Sequence, residues 1–187
     1  MGRIVVTAYI SVDGVVEAPS GTESFERVGW TDGFNRGTEG DTFKLDETMA
    51  SDALLLGRVT YDGFAPVWPH VEGEFADRFN SMPKYVVSQT LSDPEWNNTT
   101  VLRGDLAREV IELKQRYEGD IVVHGSPQLV QALIEQDLVD ALHLQVYPVI
   151  VGAGKRLFGD TTATRRLRLT EARTVGDVHI LVYERAG

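Results

Sequence analysis

Between Asp105 and Gln136 the chain passes through a helix, a strand and a second helix with only turns between them. That order constrains the fold more than any other feature. Leu106, Val110, Leu113 and Tyr117 recur at 4-3-4 spacing, which predicts a helix over Asp105–Tyr117 with one apolar face. "DIVVH" (Asp120–His124) reads as a buried strand, and Leu129, Val130, Leu133 and Ile134 stripe a helix over Ser126–Gln136. Strands that alternate with helices pair in parallel, because each helix carries the chain back along the sheet's face.

The flanking segments extend the pattern. Arg3–Ile10, Ala53–Leu56, Lys84–Ser88, Thr99–Leu102 and Val139–Val146 read as strands, β-branched and apolar. A helix is expected from Asp41, as its N-cap, through Met49, with Phe43, Leu45 and Met49 inward. A short helix is expected at Val59–Phe64 and a weak one at Glu74–Ser81. Leu167–Val175 and Val178–Arg185 around Gly176-Asp177 read as an antiparallel hairpin. Ser11–Gly40, broken by Gly14, Pro19, Gly21, Gly29, Gly33, Gly37 and Gly40, is long enough to expect a lid or binding loop. With no repeats or linker-like stretch, residues 1–187 read as one α/β domain.

Composition removes several function classes. The formal net charge of −10 argues against nucleic acid or an anionic membrane as partner. An anionic small molecule then needs local Arg, Lys or free N–H groups to bind. With no cysteine there is neither a disulfide framework nor a Cys-ligated metal, which fits a reducing cytoplasm. His70, His143 and His179 lack ligand spacing, so no metal is expected, and His124 at a strand end reads as a packed or hydrogen-bonded residue rather than a base. No segment has the length of a membrane span.

In open α/β sheets ligands gather beyond the carboxyl ends of the strands. Three strand ends carry small, hydroxyl or cationic residues there: Gly57-Arg58-Val59-Thr60, Ser88-Gln89-Thr90, and His124-Gly125-Ser126-Pro127-Gln128-Leu129. A helix N-terminus presents unpaired N–H groups to a phosphate, so the three together read as a split site for a dinucleotide. Capping chemistry alone accounts for each junction taken singly.

"SVDGVVEAP", "LLLGRVTYDGF", "KYVVSQTL" and "IVVHGSPQLVQALIEQDLVDALHLQVYPVIVGAGKRLFG" resemble the dihydrofolate-reductase-like reductases. More closely they are similar to free-standing relatives of the C-terminal reductase domain of the riboflavin-biosynthesis deaminase-reductase. The resemblance implies a dihydrofolate-reductase-like fold: a mainly parallel sheet flanked by helices, closed by the antiparallel hairpin. It also implies NADPH as hydride donor, a small heterocyclic substrate of pterin or aminopyrimidine type, and a homodimer. By position, Gly57, Arg58 and Thr60 would meet the cofactor phosphates, Ser88 and Gln89 the adenosine end, and Gly125, Ser126, Gln128 and Leu129 the pyrophosphate. Asp13-Gly14 would lie by the nicotinamide. The chain departs from its relatives at Ser126-Pro127, where further glycines are usual.

Reducing a C=N or C=O bond needs a proton as well as a hydride. Asp41, where dihydrofolate reductases carry a substrate-facing carboxylate, and Asp13 are the two candidate donors; a helix cap and a turn residue are their plain alternatives. Phe25, Trp30 and Phe34 either stack on a heterocycle or pin the long loop. Lys155 and Arg156 either meet an anionic tail or sit in a solvated turn. The rival to an enzyme is a catalytically inactive NADP-binding sensor or partner subunit.

Overall fold

The computed structural model describes residues 1–21 and 24–186. Strand β1 (Arg3–Ser11) leads through the long loop to helix α1 (Gly37–Ala50), then β2 (Ser51–Gly57) and α2 (Arg58–Phe64). A single 3-10 turn at Trp68–His70 precedes α3 (Glu74–Ser81), β3 (Lys84–Val87) and β4 (Thr99–Leu102). Helix α4 (Leu106–Arg116), β5 (Asp120–His124), α5 (Pro127–Glu135) and β6 (Ala141–Tyr147) follow, and β7 (Leu167–Val175) and β8 (Val178–Arg185) close the chain.

The eight strands form one sheet in the order β4-β3-β2-β5-β1-β6-β8-β7. Strands β4 to β6 are parallel, and β8 then pairs antiparallel with β6, and β7 with β8. This is the expected mainly parallel α/β sheet with its C-terminal hairpin. The hairpin boundaries match the sequence reading, because the apolar runs break at Gly176-Asp177 and Gly176 takes a positive φ of 58°.

β1, β2 and β5 are apolar on both faces because helices cover both faces. One core packs Ile4, Val6, Leu55, Ile121 and Val123 against Val110, Leu113, Val130 and Leu133 of α4 and α5. A second core, on the other face, gathers Leu54, Leu56 and Val122 with Phe79, Met82 and Trp96. Asp105 caps α4 by accepting from the Arg108 N–H at 3.0 Å.

Helix α1 departs from the sequence reading. It begins at Gly37 rather than at Asp41, and no side chain caps it. Its buried residues are Gly40, Lys44 and Thr48, whereas Met49 is exposed and Phe43 and Leu45 are only half-buried. The reason lies in what it packs against. The sheet presents Thr7, His143 and Gln145 there; Lys44 Nζ donates to Thr7 Oγ1, and Gln145 Nε2 donates to the Gly40 carbonyl at 3.2 Å. A polar sheet surface selects a polar helix face.

Strand β7 is the other exception. Leu167 to Thr174 are all exposed and only Val175 is buried, so β7 is an edge with neither face covered. In β8, Ile180 is buried while Leu181, Val182 and Tyr183 are half-buried.

Candidate functional site

The carboxyl ends of β1, β2, β5 and β6 open onto a cleft of about 820 Å³. Two of the three junctions meet there. The chain turns from β5 into α5 through Gly125 and Ser126, both left-handed, with φ of 53° and 54°. Ser126 holds that strained conformation by three bonds: its N–H donates to Thr60 Oγ1 at 3.0 Å, its Oγ accepts from the Gly57 N–H at 2.9 Å, and its Oγ–H donates to the His124 carbonyl at 3.0 Å. The β2 and β5 junctions are thereby tied into one surface.

No side chain caps α5, and Pro127 at its first turn has no N–H to satisfy. Gln128 and Leu129 also line the cleft. An uncapped helix start beside a glycine turn is the arrangement that suits an anion. Pro127 gives up one donor, but that position's N–H would otherwise have been an orphan.

Arg58 lines the cleft half-exposed, with Nε 2.8 Å from both Asp62 carboxylate oxygens and an Nη donating to Thr90 Oγ1 at 3.2 Å. The third junction stays outside. Ser88 Oγ accepts from the Thr90 and Leu91 N–H groups and Gln89 Nε2 donates to the Arg103 carbonyl, so Ser88 and Gln89 shape the turn that carries Thr90 to Arg58. Neither lines the cleft.

The acidic candidates also lie off the cleft wall. Asp13 accepts from Ser11 Oγ at 2.7 Å, from the Val151 N–H at 3.0 Å and from the Gly152 N–H at 2.8 Å. The Ser11 hydroxyl foremost, then those N–H groups, hold its carboxyl down at about 2. Asp13 thus stays ionised and clamps the Val151–Gly152 turn to the end of β1, while Gly14 takes φ 83° to close the turn after it. Asp41 stands in the second turn of α1, largely exposed, and pairs with Arg36 Nε at 2.5 Å. Arg36 itself lines the cleft and also donates to the Tyr9 hydroxyl.

The residues missed by sequence reasoning are on the floor and walls. Lys44, 8% exposed, lines the cleft with Thr7, Tyr9 and His124. Its Nζ is 2.7 Å from Glu47 Oε2, and Glu47 Oε1 is 2.7 Å from His143 Nδ1. Burial works to raise the Glu47 carboxyl, but the Lys44 charge and the His143 hydrogen bond outweigh it and hold it at about 2. His124 is buried, 9% exposed; burial first, then the Lys44 charge, push it down to about 3, and its Nε2 has no partner among the described residues. It is neutral at pH 7.

Aromatic rings line the cleft from two groups. Tyr147 takes Tyr9, Trp30 and Phe34 edge-on at centroid distances of 5.7, 5.8 and 5.9 Å, and Tyr9, Phe34 and Tyr147 reach the cleft. Phe64, Trp68 and Phe75 form the other group. Trp30 therefore pins the long loop, with its Nε1 donating to the Glu17 carbonyl at 2.8 Å, while Phe34 faces the ligand space. The loop also contributes Ala18, Pro19, Ser20 and Thr31 to the wall. Phe25 packs by Gly154, away from the cleft.

The lining has an unusual charge for this chain. Among the described residues it carries Arg36, Lys44, Arg58 and Lys155 against Glu17 alone, in a protein of net charge −10. Lys155 belongs to the wall, whereas Arg156 donates to the Asp13 carbonyl at 3.0 Å in the turn beside it.

The RibD C-terminal domain family matches residues 3–181. The chain belongs to that family. It is a family of reductase domains, which makes the chain an oxidoreductase of the riboflavin-pathway type in general. Membership also accounts for the four stretches singled out from sequence, which lie within the matched span. The uncharacterized protein YyaP of Bacillus subtilis (strain 168) is 27% identical over 185 residues, covering 92% of this chain and 88% of its own. Two solved structures share the fold of this RibD C-terminal domain. A Shewanella sp. PV-4 protein named for riboflavin biosynthesis has a TM-score of 0.80 at 18% identity, over 99% of both chains. A pyrimidine reductase-like protein from Corynebacterium diphtheriae has a TM-score of 0.67 at 16% identity, over 100% of this chain and 92% of its own.

Proposed function

We propose that the protein is an NADPH-dependent reductase of a small flat heterocycle, of pterin or aminopyrimidine type, acting in the cytoplasm as a homodimer. One observation carries the reading. A positively biased lining in an acidic chain surrounds an uncapped helix start at the carboxyl end of the sheet. That combination selects an anionic ligand and gives it N–H donors.

The residues fit the cofactor. Gln128 and Leu129 at the α5 start, with Gly125 and Thr60, would hold its pyrophosphate on a turn that Gly57 and Ser126 shape, and Arg58 would hold its adenosine 2′-phosphate. When bound, NADPH supplies the hydride. The chain's own share is to orient the acceptor, exclude water and place a proton. Tyr9, Phe34, Tyr147, Phe64, Trp68 and Phe75 offer apolar faces to a flat ring. Arg36, set by Asp41 and Tyr9, offers a cation at the same end. We assign Asp41 to positioning Arg36, and Asp13 to holding the turn that borders the acceptor space. The homodimer reading rests on the open edge at β7 and on the family resemblance.

Calorimetry with NADPH and NADH, followed by NADPH oxidation against a panel of pterins and 5-amino-6-ribosylamino-pyrimidine acceptors, tests the reading. Tight NADPH binding with turnover of one acceptor supports it. Binding without turnover of any would favour an NADP-binding sensor, and no binding of either cofactor would reject both.

A further inference from the structure

We propose that Lys44 is the proton donor of the reduction, with Glu47 and His143 as the positioning residues that hold it; the inference rests on the reductase reading above. Lys44 is the buried cation of the cleft, and its three N–H bonds can be accounted for one by one. One goes to Thr7 Oγ1 and one to Glu47 Oε2. The third has no hydrogen-bond acceptor among the described residues; the ammonium lies 5.7 Å from the centroid of the Tyr9 ring, and Lys44 lines the cleft. A buried ammonium with an unmet donor is costly unless something accepts from it. A carbonyl oxygen or ring nitrogen of the acceptor fills that need.

Its position relative to the phosphate end is fixed by strand register. Thr7 pairs with His124 on β5 and with His143 on β6. Lys44 therefore stands over the strand position that immediately precedes Gly125-Ser126. A dinucleotide whose phosphates lie at that turn extends its reactive end along the same floor.

Neighbouring groups are less suited. Asp41 and Asp13 do not line the cleft. The Tyr9 hydroxyl is engaged by Arg36, and burial raises its pKa, which makes it a weaker acid. His124 is neutral, and its Nε2 is buried. Glu47 stays ionised, bonded on one oxygen to Lys44 and on the other to His143, so it fixes the ammonium without competing for the role. Phe43 packs on the His143 ring at 5.8 Å and keeps that support in place.

The step balances. The carbon of the acceptor's C=N or C=O bond receives the hydride, the π pair passes to the heteroatom, and Lys44 Nζ gives that atom a proton. NADPH is oxidised to NADP⁺, the acceptor is reduced by two electrons, and the neutral Lys44 amine regains a proton from water in the cleft.

Lys44→Met, Lys44→Ala and Glu47→Gln test the assignment, read by NADPH affinity in calorimetry, by thermal melting and by turnover with a 5-amino-6-ribosylamino-pyrimidine acceptor. Lys44→Met and Lys44→Ala should keep NADPH affinity within a few-fold while kcat falls by about 10²–10⁴. Added ethylamine, which brings an ammonium back into the space the side chain leaves, should restore part of the Lys44→Ala rate and none of the Lys44→Met rate. Glu47→Gln keeps an acceptor for Lys44 without the charge and should lose less. Because Lys44→Ala leaves Glu47 buried without its lysine, held by His143 alone, the double change Lys44→Ala with Glu47→Gln carries the rescue test where the single variant fails to fold. Near wild-type turnover in either Lys44 variant overturns the proposal, as does lost turnover that ethylamine leaves unchanged in a folded, NADPH-binding Lys44→Ala protein. Failure of the wild-type chain to bind NADPH would instead overturn the reductase reading, and the donor assignment with it.

Discussion

Asn35 and Asp177 hold each other across the molecule by two reciprocal bonds. The Asp177 N–H donates to the Asn35 carbonyl at 2.6 Å, and Asp177 Oδ2 accepts from the Asn35 N–H at 2.8 Å. The long loop that walls the cleft is therefore fastened at its far end to the β7–β8 turn. Asp177→Ala should cost about 1 kcal/mol in urea unfolding and speed amide exchange at residues 28–36. In the wild-type protein, exchange in the same segment should slow when NADPH and an acceptor are added. Equal exchange with and without ligands would count against a lid.

Arg58 is predicted to select NADPH over NADH. A charge-assisted hydrogen bond to the 2′-phosphate is worth roughly 1.5–3 kcal/mol, so Arg58→Ala should weaken NADPH binding about 10- to 150-fold. NADH affinity should change much less. Equal losses for both cofactors in calorimetry would place Arg58 elsewhere, occupied by Asp62 and Thr90 alone.

Ser126 combines a left-handed backbone with a hydroxyl that serves two junctions. Ser126→Ala keeps the strain and strands the Gly57 N–H, for an expected loss of about 1–3 kcal/mol. Ser126→Gly loses the same bonds but relieves about 1–2 kcal/mol of left-handed strain. The glycine variant should therefore melt above the alanine variant. The reverse order would mean that the left-handed backbone at this turn stores no strain for glycine to relieve.

Acid should destabilise the fold through His124 before the carboxylates contribute. The folded-state pKa of His124, about 3, lies below its usual 6.5. Between those values the unfolded chain binds a proton that the folded one refuses, so stability falls as pH drops, by up to about 1.4 kcal/mol per pH unit. Glu47, held at about 2 against a usual 4.5, adds its own loss as pH falls through that lower window. His124→Gln should flatten urea-midpoint profiles between pH 6.5 and 4.5, and an unchanged slope would show that His124 is not the group responsible.

Most of the architecture was legible because the buried strands are apolar on both faces. Runs such as Leu54-Leu55-Leu56 and Ile121-Val122-Val123 admit few other readings. The three junctions were legible as chemistry, and the fold joined two of them, since the Ser126 contacts with Thr60 and Gly57 span more than sixty residues and no local pattern encodes them. Helix α1 was misread for a physical reason. Its first turn, Gly37-Thr38-Glu39-Gly40, has poor helix propensity, so Asp41 looked like the natural start. Its inward face, Gly40-Lys44-Thr48, is polar, and a periodicity search for apolar residues passes over it. Lys44 escaped notice because lysine is ordinarily a surface residue. Phe64, Trp68 and Phe75 did carry a signal, an aromatic concentration around the 3-10 turn, but no motif said that they line a cleft.

The place of β1 in the sheet has a consequence for how the protein is made. β1 precedes every other strand of the sheet in the chain, yet both its neighbours come late: its partner strands begin at Asp120 and Ala141. Until those residues leave the ribosome, the apolar run Ile4-Val5-Val6 has no edge to pair with, and the half-sheet of β2, β3 and β4 can form without it. Closing such distant pairs is slow, and an unpaired strand of this composition invites association between nascent chains. The strand at the heart of the parallel sheet thus waits for partners that lie more than a hundred residues further along the chain.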